Sequence, residues 1–293
     1  MFDFRYHALS LVAVFMALML GILLGVAIGD KGLLSRAQRD VVNTFRNQVR
    51  NERAGRQRLE RRLAERDRLD AALYPLVVQG KLSGQRVGIV ALGNLSDSDI
   101  RTVRDALKDT GGRLTLEAVV NRPPSLDGLA TRDTGVRAGT PLSSDPRAIT
   151  RFARRFGAAL TEGGPLVKRT RRAVLGASSG SFDGLDAVVV VRDQPAALNE
   201  PDTALTQAFE NGLVAGLGAR NVPVVGVETT STDPSQIPWY RSRRLASVDD
   251  IERLEGKVAL VFTLAGASGA YGRKSSAEAL LPKAASPSGA SAG

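Results

Sequence analysis

Few side chains in this 293-residue sequence could do chemistry, and their placement rules out most of it. The one histidine is His7, at the edge of a long apolar run, and there is no cysteine. A Ser-His-Asp triad or a histidine general base is therefore excluded from the rest of the chain. Disulfides, thiolate nucleophiles, iron–sulfur clusters and thiolate metal sites are excluded with it. The methionines are Met1, Met16 and Met19, so residues 31–293 contain no Cys, His or Met.

Carboxylates remain. Asp97/Asp99 and Asp249/Asp250 are close pairs. Each pair is placed to cap a helix start by accepting backbone N–H groups. A hard-cation site built from Asp97 and Asp99 is the alternative. Gly93 lies between an apolar run and a helix signal, where a phosphate could rest on helix N–H groups. However, GNLSDSD is neither GxGxxG nor a P-loop, and its acids repel phosphate. The glycines of the 266–272 loop, with Arg273 and Lys274 beside them, either cradle an anion or serve plain turn geometry. The segment Arg151–Arg172 carries Arg151, Arg154, Arg155, Lys168, Arg169, Arg171 and Arg172 against the single acid Glu162. It either meets an anionic surface or forms a solvated face. No catalytic, cofactor-binding or metal-ligating set emerges, and the expectation is a protein that is not an enzyme, needs no cofactor and holds no metal. A nucleotide-using enzyme is the minor alternative.

These residues must be positioned by three kinds of element. Ala8 to Ile28 is an uncharged run. At about 1.5 Å per residue it spans about 31 Å, close to the hydrocarbon core of a bilayer. That exceeds a secretory h-region, although Ala27 and Gly29 could imitate a cleavage site. Residues 1–30 are thus expected to form a transmembrane anchor in contact with membrane lipid. Small residues recur on one face at Ala13, Ala17, Gly21, Gly25 and Gly29. Gly21, Gly25 and Gly29 are the candidate helix-packing residues, because their spacing lets two helices approach closely.

Residues 31–79 read as a coiled-coil stalk. A 3-4 spacing runs through Val42, Phe45, Val49, Glu52, Arg56, Leu59, Leu63, Arg66, Asp70, Leu73 and Val77, with no proline before Pro75. The apolar seam is Val42, Phe45, Val49, Leu59, Leu63 and Leu73, closing at Val77. A lone amphipathic helix on lipid is the alternative, which the arginines between Arg36 and Arg68 would suit. Interspersed acids such as Asp40, Glu52 and Glu60 favour the coiled coil. The partner helix comes either from a second copy or from another envelope protein.

Residues 80–281 alternate between strand and helix signals. Arg86–Leu92 is a buried strand; Ser96, Asp97 or Ser98 caps a helix through Ile100, Val103 and Leu107; Leu114–Val120 is a strand. Residues 121–146 form an irregular insertion. A helix follows at 147–161, a strand at 187–191, a helix at 202–216 and a strand at 222–227. The remainder is read as a short helix at 248–254 and a last strand at 257–264. Strands apolar on both faces and separated by helices define an α/β, doubly wound, mostly parallel-sheet head of Rossmann-like class. The tail, 282–293, is Ala/Ser/Gly/Pro and is expected to be disordered.

The formal charge is +10, from 40 basic and 30 acidic residues. It reflects either arginine-rich coding or attraction to anionic lipid or an anionic wall polymer. Nucleic acid is not an expected partner, because aromatics are 5% and no basic run interleaves with stacking residues.

The start, MFDFRYHALSLVAVFMALMLGILLG, the stalk behind it and the ending GKVALVFTLAG…YGRKSSAEALLP resemble the actinobacterial copper-transporter family of the MctB type, from Met1 to about Pro282. The resemblance implies an envelope protein linked to copper transport or homeostasis. It also implies, through related proteins, a non-catalytic scaffold that recruits cell-separation or wall-remodelling partners. Copper favours thiolate, thioether and imidazole ligands, which the stalk and head lack, so a copper role is expected to proceed without a tight site there. Orientation is divided. Lys31, Arg36, Arg39 and Arg46 follow the anchor and only Arg5 precedes it, which favours a cytoplasmic head; the resemblance implies a head outside the cytoplasmic membrane.

Overall fold

A computed structural model of the chain describes residues 4–28, 31–129, 131–136, 141–193 and 198–283. The chain divides into two compact units, Met1–Arg68 and Leu69–Gly293. The first contains α1 (Phe4–Ile28) and most of α2 (Lys31–Val78). Within α1, Tyr6–Ala27 is long and apolar enough to cross a membrane. Its side chains are exposed around the whole circumference, which suits a helix solvated by lipid rather than packed on one side.

The second unit begins inside α2. Tyr74 and Val78, on the last turns of that helix, are buried in the head, and the Tyr74 hydroxyl donates to Ala106 O at 2.6 Å. Pro75 lies inside α2, and its missing N–H removes one rung of the helix ladder. The turn after it is pinned: Leu82 N–H donates to Thr110 O and Gly84 N–H to Gly111 O.

The head continues β1 (Arg86–Leu92), α3 (Asp97–Ala106), β2 (Arg113–Val120), α4 (Thr131–Thr134), α5 (Pro146–Glu162), α6 (Pro165–Val174), β3 (Leu175–Gly180), β4 (Ala187–Arg192), α7 (Glu200–Leu217), β5 (Val224–Val227), α8 (Ile237–Ser242), β6 (Ala246–Val248), α9 (Leu254–Leu264) and β7 (Ala270–Tyr271). The strands form one seven-stranded sheet in the order β3-β2-β1-β4-β5-β6-β7. All neighbours are parallel except β2 and β3. Side chains alternate between faces along each strand, so the apolar runs of β1 and β4 supply two cores. Val90, Leu92, Val188 and Val190 pack with α5, α7 and α8. Val87, Ile89, Ala187 and Val189 pack with the end of α2, α3 and α9. On the first face Phe152, Phe156 and Phe209 stack with ring centroids 6.2–6.4 Å apart. There α5 and α7 cross at backbone contact: a Cβ on Gly216 would lie 2.1 Å from Arg154 O.

Within the head the sequence reading holds through β5, with three elements absent from it, helices α4 and α6 and the antiparallel strand β3. The C-terminal part is corrected. The short helix expected at 248–254 is not found; β6 ends at Val248, a turn follows, and helix α9 begins only at Leu254. Residues 257–264 are not a strand but most of α9. A short, uniformly apolar run fits a buried helix as well as a strand, and here Gly256 packs so closely on Asp250 O that a Cβ would lie 2.0 Å from it. The last strand is the two-residue β7. Of the expected tail, residues 284–293 lie outside the described residues.

Candidate functional site

The carboxyl ends of the parallel strands open into a cleft of about 150 Å³, lined by Asn94, Asp99, Arg192, Asp193, Glu228 and Thr229 among others. Crevices at this edge, where crossover connections diverge to either side of the sheet, are the usual ligand location of doubly wound folds. Ser96 caps α3 here. Its hydroxyl accepts from Asp99 N–H at 3.1 Å, while the Asp99 carboxylate accepts from Ser96 N–H at 3.2 Å. Asp99 is thus the capping partner expected from the sequence, and Asp97 stands in the first turn.

One wall is a buried ionic network. Glu210, 3% exposed, accepts from Arg122 Nη2 at 2.8 Å and from Arg192 Nε at 3.2 Å, with those side chains 8% and 10% exposed. Arg192 also donates to Gln236 Oε1, and its guanidinium lies 4.6 Å from the centre of the Trp239 ring. Its backbone N–H donates to the Tyr240 hydroxyl at 2.9 Å, which in turn donates to Val227 O at 3.0 Å. Burial drives the Tyr240 phenol well above its ordinary pKa, so it stays neutral and a donor. The wall ties the ends of β4 and β5 together.

Through Gln236 this network continues to acids at the ends of β5 and β6. Glu228 accepts from Ser235 Oγ at 2.7 Å, Gln236 N–H and Lys274 Nζ at 2.7 Å. Lys274 also donates to Thr232 O at 2.6 Å. Asp249 accepts the backbone N–H groups of Arg273 at 2.8 Å and Lys274 at 2.9 Å. Gly272 must be glycine for this clasp, since a Cβ would lie 1.9 Å from Asp249 Oδ1. The loop therefore presents its N–H groups to an anion as a phosphate cradle would, and the anion is the chain's own carboxylate.

Asp250 is different. It is fully buried, and neither carboxylate oxygen has a hydrogen-bond partner. Its ionic neighbour Arg273 stays 3.8 Å away and pairs more closely with Glu255. Burial first, and then the charges of Asp249, Glu255 and Glu252, push its carboxyl up to about 7. The expectation that Asp249 and Asp250 cap a helix is corrected: the N-cap position of α9 is Arg253, which makes no side-chain capping bond. Asp249 is held by the 273–274 backbone, and Asp250 lies against Gly256 of α9.

Among the described residues no group of three His, Cys, Asp or Glu side chains is placed to hold a metal ion. Glu210, Glu228 and Asp249 are committed to fixed donors, and the polar groups lining the cleft can hydrogen-bond a small molecule.

The other residues singled out by sequence lie elsewhere. Gly21 and Gly25 face open space on α1, with nothing within 4 Å of an added Cβ, and Gly29 is outside the described residues. On α2, Phe45, Leu59, Leu63 and Leu73 are exposed and Val49 is half-buried; the Val42 side chain is outside the described residues. The basic segment forms the outer faces of α5 and α6. Arg169 pairs with buried Asp133 at 2.7 Å and Arg151 lies 3.8 Å from Asp145, whereas Lys168, Arg171 and Arg172 are exposed. Sequence reasoning missed Arg122, Arg192 and Glu210. The one signal available was an arginine ending the apolar run of β4, where burial demands a counter-ion.

Fold and site together define a protein with an N-terminal helix able to cross a membrane and a seven-stranded, mostly parallel α/β head with a polar cleft at its strand ends. Residues 1–282 match the family model described as copper transport outer membrane protein, MctB, and the chain belongs to that family. It is 27% identical over 299 residues to the copper transporter MctB of Mycobacterium tuberculosis and, equally, to that of Mycobacterium bovis, covering 90% of this chain and 92% of each relative.

Proposed function

We propose that this chain serves copper transport or homeostasis as an envelope protein anchored by α1, with its head outside the cytoplasmic membrane, and that it does so without catalysis and without a tight copper site in its stalk or head. The observation that carries the reading is the family match over nearly the whole chain, set beside a stalk and head without any Cys, His or Met. A tight copper site needs several thiolate, thioether or imidazole donors to converge. Carboxylates suit magnesium or calcium at least as well. Copper is thus handled through partners or through envelope organisation. The comparisons lend no support to the scaffold alternative.

Self-association belongs to the same proposal. Gly21 and Gly25 leave one face of α1 flat, and the exposed apolar seam of α2 calls for a facing helix. Two measurements test the reading together. Loss of the gene is expected to make cells copper-sensitive, with rescue by the full chain. Calorimetry on the metal-free full chain in detergent is expected to show no stoichiometric copper site of sub-micromolar affinity. Such a site, lost in an Asp97→Asn/Asp99→Asn variant, would restore a direct metal role; unchanged copper tolerance in the deletion strain would remove the copper role.

A further inference from the structure

The two edges of the head sheet are finished differently. At one edge, β7 is covered: Glu278 N–H donates to Ala270 O at 2.7 Å, Gly272 N–H donates to Ala279 O at 3.0 Å, and Tyr271 bridges to Ala279. At the other edge, among the described residues, β3 pairs only with β2, and all residues from Gly176 to Gly180 are exposed. The bond from Ser181 N–H to Thr115 O sets the alternation of the antiparallel ladder. Ala177 and Ser179 face β2, so the N–H and C=O of Ser178 point away from the sheet. Among the described residues nothing bonds to them. Proteins blunt such edges with lysine, proline or an inward charge; the strand LGASSG has none of these.

We infer that β3 pairs antiparallel with β3 of a second copy of this chain, across a two-fold axis at Ser178, joining the two head sheets into one. Three observations select a second copy as the occupant. An antiparallel edge is self-complementary about a two-fold: Ser178 meets Ser178 and exchanges both backbone bonds. The side chains brought together are Ala, Ser and Gly, too small to obstruct the approach. The charges also match. Helix α6 runs into β3 without a loop, Leu175 N–H donating to Arg171 O, so exposed Arg171 and Arg172 stand at the start of the strand. Asp183 follows its end. A two-fold brings the start of one strand to the end of the other, setting Arg171 and Arg172 beside Asp183 of the second copy.

The test uses the full chain in lipid nanodiscs or detergent. Because the chain has no cysteine, Ser178→Cys supplies a single thiol. Paired residues in the bonded position of such a ladder have Cα atoms about 5.5 Å apart, within the range a disulfide spans. On oxidation with diamide, Ser178→Cys is expected to form a covalent dimer roughly tenfold or more faster than Ala215→Cys, an exposed position on α7. In the unmodified chain the Ser178 amide is expected to exchange slowly with deuterium and to lose that protection on dilution to monomer. Equal rates for the two thiols, or an unprotected Ser178 amide in the dimer, would overturn the inference. A parallel Leu63→Cys variant separates it from the seam on α2. Cross-linking at Leu63 alone keeps self-association and rejects the edge pairing; cross-linking at Ser178 alone keeps the edge pairing and rejects the seam.

Discussion

Replacing Asp250 with asparagine should change how the head's stability depends on pH. In the folded chain this carboxyl is buried, lacks a hydrogen bond and is surrounded by other acids, so its pKa rises from 3.8 to about 7. In the unfolded chain it ionises near 3.8. Below that pH both states hold the proton and Asp250 costs nothing. As pH rises from about 4 the unfolded state releases the proton and the folded state does not, so stability falls until the folded carboxyl also ionises near pH 7, and is level above it. Three decades of proton affinity at about 1.4 kcal/mol each set a ceiling of about 4 kcal/mol on the loss. An asparagine side chain has nearly the same shape as the carboxyl it replaces and cannot ionise. Asp250→Asn should therefore match the parent near pH 4 and exceed it in stability by up to about 4 kcal/mol at pH 8. Urea unfolding of both chains from pH 4 to 8.5, followed by fluorescence of the single tryptophan, Trp239, measures the difference. A stability difference that does not vary with pH would refute the account of a buried, proton-retaining carboxyl.

Glu210→Gln leaves the buried guanidinium groups of Arg122 and Arg192 without the carboxylate they share. The head should lose about 3–5 kcal/mol in the same urea assay. Gly216→Leu drives a side chain into Arg154 O across the α5–α7 crossing, and should cost about 3 kcal/mol or more or prevent folding, read as a lowered melting temperature or lost expression. Gly25→Ile should weaken membrane dimers by crowding the α1 face, and Leu59→Asp with Leu63→Asp should open the stalk; cross-linking that yields unchanged oligomers in both would discard the seam.

How much of this was legible in the sequence depends on how each element solves its burial. Strands β1, β2, β4 and β5 are apolar runs too short for helices and bounded by glycine, proline or charge. Helix α3 shows its cap in Ser96, which accepts a backbone N–H, whereas the caps of α5 and α7, Asp145 and Asn199, emerge from the structure. The failures share a cause. Helix α6 buries only Leu166, Val167, Thr170 and Val174 beneath a coat of arginines, and β3 has almost no apolar residue because both its faces are exposed. Around α9 the run KVALVFTL is buried on nearly all sides, which erases the period that separates helix from strand. The cleft was half legible. Ser96 and Asp99 announced themselves by spacing, whereas Glu210 is set apart by Arg122 and Arg192, and Asp250 by a burial that its acidic neighbours in sequence do not reveal.

The strand order also constrains how the head comes into being. Val87, in the first strand made, pairs with Leu114 on one side and with Ala187 on the other, so the centre of the sheet is synthesised first and completed late. The clasp on Asp249 waits for Arg273 and Lys274, close to the carboxyl end. While the ribosome is still adding the last strands, α1 has already emerged, and the nascent head carries β1 with one side bare. Non-local pairing of this kind is slow and leaves sticky edges open in the interval. A chaperone that shields β1 until β4 arrives, or a pause that delays its exposure, would act on that interval.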